Sequence, residues 1–372
     1  MAGCLVFTMR KKVKSKGKNK TERRKKMDKR IAVRVHEHGG PEVLKMEEID
    51  IPEIGPNDVL VEIKAVGMNH MDLWMRQGIP GFKIPLPLIL GCDTSGVVKE
   101  VGSAVEHVKP GMEYVLSPAT SCGVCEHCVA GRQNLCKDYK IFGESRDGGY
   151  TNYQVYPAIN ILPKPENLSF EEAAAMPLVF LTAWQMLVTK GKVKAGDFVV
   201  IHAAGSGVGS AGIQIAKMHH AIVIATAGSD EKLEKARELG ADFTLNYSKN
   251  PEWWKEIRKI TAKKGADIVF EHIGESTFEG SLNCLAKGGK IVVCGATSGY
   301  DVKIDLRKVF FKNVEILGST MANFSTVIEI LKLAKMGILK PVIDRIMPLS
   351  EAIEAHKIME NRAQFGKIIL IP

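Results

Sequence analysis

Four cysteines stand close together in residues 121–136, at Cys122, Cys125, Cys128 and Cys136. The spacing C-x2-C-x2-C-x7-C lets four thiolates reach one ion, and a tetrahedron of sulfur ligands is typical of zinc. Because four thiolates leave no position for water or substrate, we expect one structural Zn²⁺ that fixes a loop and takes no part in chemistry. An iron–sulfur cluster is the alternative, although its usual ligand spacings differ.

A second candidate site is the glycine-rich stretch in "DFVVIHAAGSGVGSAGIQIAKM". A short apolar strand at 198–201 leads into the glycines, and a helix follows from Ser210. A pyrophosphate binds the backbone amides at such a helix N-terminus, where any Cβ would obstruct it. The sequence therefore predicts a dinucleotide site at Gly205, Ser206, Gly207, Val208 and Gly209.

The residues after the next strand bear on which dinucleotide binds. An enzyme that uses NADH carries Asp or Glu there to bind the ribose hydroxyls, whereas this chain has Ala227. Ser229, Lys232 and Tyr247 follow, and Lys232 and Tyr247 are plausible contacts for a 2′-phosphate. We therefore favour NADPH over NADH, while Lys232 as an ordinary solvated helix lysine remains the alternative.

These residues need a scaffold that brings strand ends together. Further apolar runs at 268–270, 291–293 and 314–317 alternate with helical stretches, which predicts a six-stranded, doubly wound parallel sheet. Ligands bind beyond the carboxyl ends of such strands. We therefore expect the cofactor cleft to be lined by Glu271, His272, Gly295, Ala296 and Thr297.

The composition indicates a globular protein with a charged N-terminal tail. Its 372 residues, 45% hydrophobic and 25% charged, suffice for two domains with separate cores. The net charge of +9 arises in residues 10–30, which hold 13 Lys and Arg against two acids. We expect residues 1–30 to be a disordered basic tail: either a dispensable extension or a contact for nucleic acid or an anionic membrane.

Composition also bears on location. No run of eighteen apolar residues occurs, so we expect no membrane span. Eight cysteines, four clustered and four isolated, do not suggest a disulfide framework. We therefore expect a cytoplasmic protein.

From Ile31 to Pro372 the chain resembles the medium-chain dehydrogenase/reductase superfamily. The matching motifs occur in order: "GGPEVL", "GVVKEVGSAVEHVKPGM", the cysteine lobe, "AAAMPLVFLTAW", "AAGSGVG" and "FGKIILIP". The resemblance implies an α/β protein with a GroES-like β-barrel catalytic domain and a Rossmann cofactor domain, assembled as a homodimer or homotetramer through the edge strand near 314–317. The domain boundaries expected from it are 31–164 for the catalytic domain with its zinc lobe at 121–137, 165–320 for the Rossmann domain, and 321–372 for a segment returning to the catalytic domain.

The resemblance departs from the zinc alcohol dehydrogenases of this superfamily at the catalytic metal. Their three ligand positions correspond here to Asn69, to Cys92 and to a position near Leu178 or Val179. The zinc-free, NADPH-dependent quinone oxidoreductase branch instead carries a G-x-N-x-x-D run, matched by Gly67, Asn69 and Asp72. The resemblance therefore implies a structural zinc without a catalytic one.

Without a metal to polarise a simple ketone, an enone, another conjugated carbonyl compound or a quinone is the easier substrate for hydride transfer. The predicted catalytic residues are Asn69, which would polarise the substrate oxygen or orient the nicotinamide carboxamide, His70 near the pyrophosphate, Asp72 and Thr182. The proton donor is not identified, since a tyrosine of the quinone oxidoreductases corresponds to Trp74 here.

Two alternatives remain open. The first is a zinc-dependent alcohol dehydrogenase with altered ligands, in which Cys92, Asp93 and His70 hold the ion. The second is a cofactor-binding protein that binds nucleic acid through its basic tail.

Overall fold

The computed structural model describes residues 29–372. Most of the predicted tail, with the nucleic-acid contact considered for it, lies outside the described residues. Its last two residues, Lys29 and Arg30, belong to the first strand. Arg30 is buried, its Nη1 donates to Gln154 Oε1 at 2.6 Å, and its Nη2 lies 3.5 Å from Asp147. The expected boundary of the tail at residue 30 therefore lies too far along the chain, because the first strand already begins at Lys29.

The described strands are β1 (Lys29–Val35), β2 (Leu44–Asp50), β3 (Asp58–Gly67), β4 (Leu88–Ile89), β5 (Asp93–Val101), β6 (Glu113–Leu116), β7 (Ala119–Thr120), β8 (Lys140–Ile141), β9 (Tyr153–Pro157), β10 (Ile161–Pro163), β11 (Phe198–Ile201), β12 (Ile222–Ala227), β13 (Phe243–Asn246), β14 (Ala266–Glu271), β15 (Leu285–Val293), β16 (Glu315–Gly318), β17 (Ile343–Pro348) and β18 (Lys367–Ile371). The α-helices are α1 (His70–Gln77), α2 (Glu126–Val129), α3 (Phe170–Ala174), α4 (Pro177–Trp184), α5 (Gly207–Met218), α6 (Asp230–Glu238), α7 (Trp253–Ile260), α8 (Glu275–Cys284), α9 (Leu306–Lys312), α10 (Phe324–Lys335) and α11 (Ala352–Glu360). A π-helical segment, Gln185–Gly191, extends α4, and short 3-10 turns lie at Pro41–Val43, Gln133–Leu135, Ala158–Asn160 and Leu349–Glu351.

The cofactor-type sheet has six parallel strands in the order β13-β12-β11-β14-β15-β16. The order reverses between β11 and β14, which opens a crevice at their carboxyl ends. The tetrapeptide Phe198–Ile201 forms the central strand because its apolar side chains are covered on both faces, as the full burial of Val199 to Ile201 indicates. The predicted doubly wound sheet is confirmed.

The other large sheet is mostly antiparallel, in the order β10-β6-β5-β3-β18-β17 with β9 paired to β3, and a three-stranded sheet β2-β1-β4 adjoins it. This arrangement confirms the predicted GroES-like part. The largest apolar core runs from Val61 in the barrel through Phe180 of α4 to Ile201, so the two sheets share it. A second core, which includes Val200 and Phe278, belongs to the six-stranded part alone.

The C-terminal segment joins the two parts of the molecule. Strand β18 pairs with the end of β3, where Ile369 faces Gly67. Gly366, just before β18, donates its N–H to Gly205 O at 2.8 Å. The last residues of the chain therefore lie between the glycine-rich turn and the start of α1.

Helix α3 lies in the segment expected to begin the cofactor domain, yet it packs against β3 and β5 of the barrel. A Cβ on Gly67 would lie 2.3 Å from Ala174 O, so the close approach of α3 requires glycine there. The exact domain boundaries stay predictions. Within residues 29–372, no helix is both long and apolar enough to cross a membrane.

Candidate active site

A cleft of about 1050 Å³ lies between the glycine-rich turn and helix α1. One end is basic and polar, and the other has an apolar wall. The wall includes Met68, Met71, Trp74, Met75, Ile79, Phe82, Ile141, Leu178 and Met321. The cleft is large enough to hold a cofactor together with a largely apolar substrate.

The glycine-rich turn forms as the sequence predicts. Helix α5 begins after Ser206, whose Oγ accepts the N–H of Gly209 at 3.0 Å. A Cβ on Gly209 would lie 2.5 Å from Ala203 O, which explains the requirement for glycine. The predicted cofactor residues that line the cleft are Gly205, Ser206, Gly207, Val208, Ser229, Lys232, Tyr247, Gly295 and Thr297.

Three residues predicted to line the cleft do not. Gly209 is enclosed in the turn, and Ala296 packs against Gly274. Glu271 is fully buried, where its carboxylate accepts hydrogen bonds from Ser281 and Thr277. The expectation that ligands bind beyond the carboxyl ends of the strands identifies the correct edge of the sheet, but it does not indicate which side chains face the cleft. His272 does line the cleft.

Basic groups gather at the end of the cleft near Ala227. Lys232 Nζ donates to Arg362 O at 2.5 Å, and Arg362 Nη2 lies 3.4 Å from Thr297 O. The hydroxyl of Tyr247 lies over Gly228, where a Cβ would be 3.2 Å away. Arg362 was missed by the sequence analysis, because the C-terminal segment carries it across to the other sheet. The nearest signal was a cation in the polar stretch "ENRAQFG" after α11.

The opposite end contains a buried cluster that we call the Asn69 cluster: Asn69, Cys92, Asp93 and Lys367. Lys367 Nζ lies 2.7 Å from Asn69 Oδ1 and 3.1 Å from Asp93 Oδ2. Asn69 Nδ2 donates to Asp93 Oδ2 at 2.9 Å and approaches Cys92 Sγ at 3.4 Å. Asp93 Oδ1 accepts the N–H of Leu178 at 3.0 Å. Lys367 was also missed from the sequence.

Asp72 was predicted to be catalytic, but it does not line the cleft. Its buried carboxylate accepts the N–H of Asn69 at 2.8 Å, the N–H of Gly91 at 3.1 Å and the hydroxyl of Tyr150 at 3.3 Å. Burial raises the pKa of Asp72 to about 6. Asp72 therefore fixes the start of α1 and has no access to a substrate.

His70 and Thr182 both line the cleft. The His70 ring lies edge-on to Trp74, with 5.0 Å between ring centroids. Burial lowers the pKa of His70 to about 4, and the nearby Arg362 acts in the same direction, so the ring is neutral at pH 7. A neutral imidazole can donate one hydrogen bond to a bound group but does not supply a positive charge.

The four clustered cysteines can hold a metal. Their sulfur atoms lie within 4.8 Å of one another. The N–H of Cys125 donates to Cys122 Sγ at 3.3 Å and that of Asp138 to Cys136 Sγ at 3.4 Å, which stabilises thiolates. Among the described residues, no other group of three or more His, Cys, Asp and Glu residues brings its ligand atoms together in this way. The donor set fits Zn²⁺.

The Asn69 cluster does not fit a metal. Burial raises the pKa of the Cys92 thiol well above its ordinary value. Both oxygens of Asp93 already accept hydrogen bonds, and Lys367 contributes the positive charge of the cluster. A cation entering here would have to displace an ammonium group.

Comparisons with known proteins identify the family. Residues 55–166 match the model of the alcohol dehydrogenase GroES-like domain, and residues 207–336 match that of the zinc-binding dehydrogenases. The NAD-dependent alcohol dehydrogenase of Sulfurisphaera tokodaii is 34% identical over 92% of this chain and 99% of its own length. The 2-haloacrylate reductase of a Burkholderia species is 32% identical over 92% of this chain and 99% of its own. The quinone oxidoreductase of Sus scrofa is 31% identical over 91% of this chain and 97% of its own.

Among solved structures, a crystal structure of an NAD-dependent alcohol dehydrogenase is 51% identical, with a TM-score of 0.89 over 92% of this chain and 99% of that one. Two family models in the expected order and relatives above 30% identity across most of the chain agree with the two sheets and the cleft between them. The chain belongs to the medium-chain dehydrogenase/reductase superfamily and is a nicotinamide-dependent oxidoreductase.

Proposed function

We propose that the protein reduces a conjugated carbonyl compound or a quinone with NADPH, with one structural Zn²⁺ in the cysteine cluster and no metal in the Asn69 cluster. The nicotinamide supplies a hydride to the β-carbon of an enone or to a quinone. Such substrates spread the resulting negative charge over several atoms, so they need less stabilisation than a simple ketone does.

One observation carries the proposal: the ammonium group of Lys367 pairs with Asp93 and contacts Asn69, one of the positions where the resemblance puts a ligand of the catalytic metal. The Lys367 and Asp93 side chains are 3% and 0% exposed. A buried ion pair of this kind is expensive to break, because removal of one partner leaves the other charge uncompensated. The apolar wall beside it suits a substrate with little charge of its own.

The preference for NADPH is supported by the basic end of the cleft. Ala227 puts no carboxylate near the 2′ position, and Lys232, Tyr247 and Arg362 all line that region. A 2′-phosphate would meet two cations and a hydroxyl donor. The ribose of NADH would lack its usual carboxylate acceptor.

A second candidate is supported by the 51% identical relative, which is an NAD-dependent alcohol dehydrogenase. In this alternative the protein oxidises an alcohol with NAD⁺, and a second zinc is held by His70, Cys92 and Asp93. That arrangement requires the ion pair between Asp93 and Lys367 to break, so that the Asp93 carboxylate can bind the metal instead.

Zinc content and substrate range together separate the two candidates. The full chain, purified without chelators, is analysed for zinc and assayed against quinones, enones, ketones and alcohols with both cofactors. We expect one zinc per chain, reduction of enones or quinones, and kcat/KM at least about 10-fold higher with NADPH than with NADH. Two zinc ions per chain together with NAD⁺-dependent alcohol oxidation would refute the proposal.

We also infer that two copies pair through β16. This strand is at the edge of the six-stranded sheet, and its Ile316 is 40% exposed. On the preceding helix α9, Phe310 and Phe311 are 58% and 68% exposed. An open strand edge beside exposed aromatic side chains favours pairing with another chain.

A further inference from the structure

Asn69 has no hydrogen-bond donor left for a substrate oxygen. Its Oδ1 accepts from Lys367, and its Nδ2 donates to Asp93 Oδ2 and approaches Gly67 O at 3.3 Å. An amide nitrogen has only two N–H donors. The role expected of Asn69 at the substrate oxygen therefore requires another donor.

Lys367 has such a donor. An ammonium group carries three N–H bonds, and within residues 29–372 Lys367 Nζ has two partners, Asn69 Oδ1 and Asp93 Oδ2. The residue lines the cleft together with Leu178 and Thr182. The third N–H is therefore available to a molecule in the cleft.

The stem of Lys367 is held in position along its length. A Cβ on Gly67 would lie 3.1 Å from Lys367 Cε, and one on Gly207 would lie 3.1 Å from Lys367 Cδ. The side chain thus passes between the end of β3 and the glycine-rich turn. A side chain at either glycine would crowd the stem, and the hydrogen bonds to Asn69 and Asp93 hold the ammonium group in place before any substrate binds.

We propose that Lys367 is a catalytic residue, whose Nζ donates a hydrogen bond to the substrate carbonyl oxygen and stabilises the negative charge that develops there. This inference rests on the proposed function. When the hydride bonds to the β-carbon, the C=C pair moves to form the enolate and the carbonyl π pair moves onto oxygen, next to the ammonium. Water then supplies the proton at the α-carbon, which restores the carbonyl group. Asn69 and Asp93 position Lys367 and do not touch the substrate.

The test uses a chromophore and does not depend on turnover. A dimethylamino-substituted benzylideneacetone absorbs at longer wavelength when its carbonyl oxygen is polarised, and with NADP⁺ present no hydride is available. We expect the absorption of the chromophore to shift to the red when it binds to the native protein. The matched control, Lys287→Met, changes an exposed lysine and should show the same shift. Lys367→Met should lose the shift, and its kcat for enone reduction should fall by about 100-fold or more with little change in the KM for NADPH.

A double variant serves as a control for misfolding, because Lys367→Met leaves the buried carboxylate of Asp93 without its counter-ion. Lys367→Met combined with Asp93→Asn removes both charges and should fold while still lacking the red shift. The inference is overturned if either folded variant keeps the shift, or if Lys367→Met raises the KM for NADPH with kcat unchanged, because Lys367 would then serve the cofactor. A native protein that shifts the chromophore but reduces no enone or quinone would instead refute the proposed function and leave the role of Lys367 in polarising a carbonyl intact.

Discussion

Arg76 on helix α1 is fully buried, and its charge is balanced by Glu360 at the end of α11. Its Nε also donates to Gly39 O at 3.2 Å, and its Nη1 donates to His356 Nδ1 at 3.3 Å. The substitution Glu360→Gln keeps the size of the side chain and a hydrogen-bond acceptor but removes the negative charge. Arg76 then remains charged and buried without a counter-ion.

The size of the effect follows from the exposure of the two partners. Removal of one partner of a fully buried ion pair costs about 3–5 kcal/mol. The Glu360 side chain is 29% exposed, so water screens part of its charge, and we expect a loss of about 2 kcal/mol in the free energy of unfolding. The matched control is Glu354→Gln on the same helix, whose partner Lys357 is 3.6 Å away and 53% exposed. That pair is worth about 0.5 kcal/mol or less.

Urea unfolding of both variants and the native protein, followed by tryptophan fluorescence and circular dichroism, measures the difference. At an unchanged dependence on urea, Glu360→Gln should lower the midpoint clearly and Glu354→Gln should hardly move it. If the two variants lose the same amount of stability, then Glu360 contributes no more to the free energy of unfolding than an exposed partner does, and the reasoning from the burial of Arg76 is refuted.

Four further outcomes are expected. Cys136→Ser should lose the tightly bound zinc in metal analysis and lower the thermal denaturation temperature, because three remaining thiolates no longer close the tetrahedron. Lys232→Met should raise the KM for NADPH by about 10-fold and leave that for NADH unchanged, as measured by steady-state kinetics. Ile316→Lys should give monomers in sedimentation velocity, because it adds a charge to the open strand edge. Burial lowers the pKa of His356 from 6.5 to about 3, so the unfolded chain binds an extra proton between these values and stability falls as the pH drops through that window. His356→Gln should remove about 1.4 kcal/mol per pH unit of that slope in urea unfolding at pH 4 to 6.5, and an equal slope in both proteins would contradict the lowered pKa.

Features that depend on neighbouring residues could be predicted from the sequence. The glycine-rich turn and the strands around it are defined within about fifty residues, because a strand, a tight turn and a helix each have a local signature. The cysteine cluster is likewise contained in residues 121–136. For the same reason, Lys232 and Tyr247 could be assigned to the cleft by their distance from the second strand.

Features that depend on contacts between distant segments could not. Lys367 reaches the cleft because β18 pairs with β3, and Arg362 lies in the segment that leads into β18. The sequence near them does not indicate this pairing, and the cation in "ENRAQFG" is only a weak signal. A lysine at the start of the apolar run "KIILI" resembles an ordinary surface residue at a strand end. The role expected of Asn69 stays a prediction, and the sequence could not indicate that its amide group forms hydrogen bonds with Lys367 and Asp93.

The same C-terminal segment also fixes the proton positions behind Asn69. His356 is neutral, and because the guanidinium of Arg76 can only donate, His356 Nδ1 must accept and its Nε2 must carry the proton. Nε2 therefore donates to the hydroxyl of Tyr150 at 3.3 Å, and Tyr150 donates onward to Asp72. Asp72 also accepts the N–H of Asn69, so donors on both sides, Tyr150 and Asn69, converge on the carboxylate of Asp72, and Asn69 in turn accepts a hydrogen bond from Lys367. Tyr150 does not line the cleft, so the loss of its hydroxyl would remove one donor to Asp72, and its effect on catalysis would be transmitted through Asp72 to Asn69.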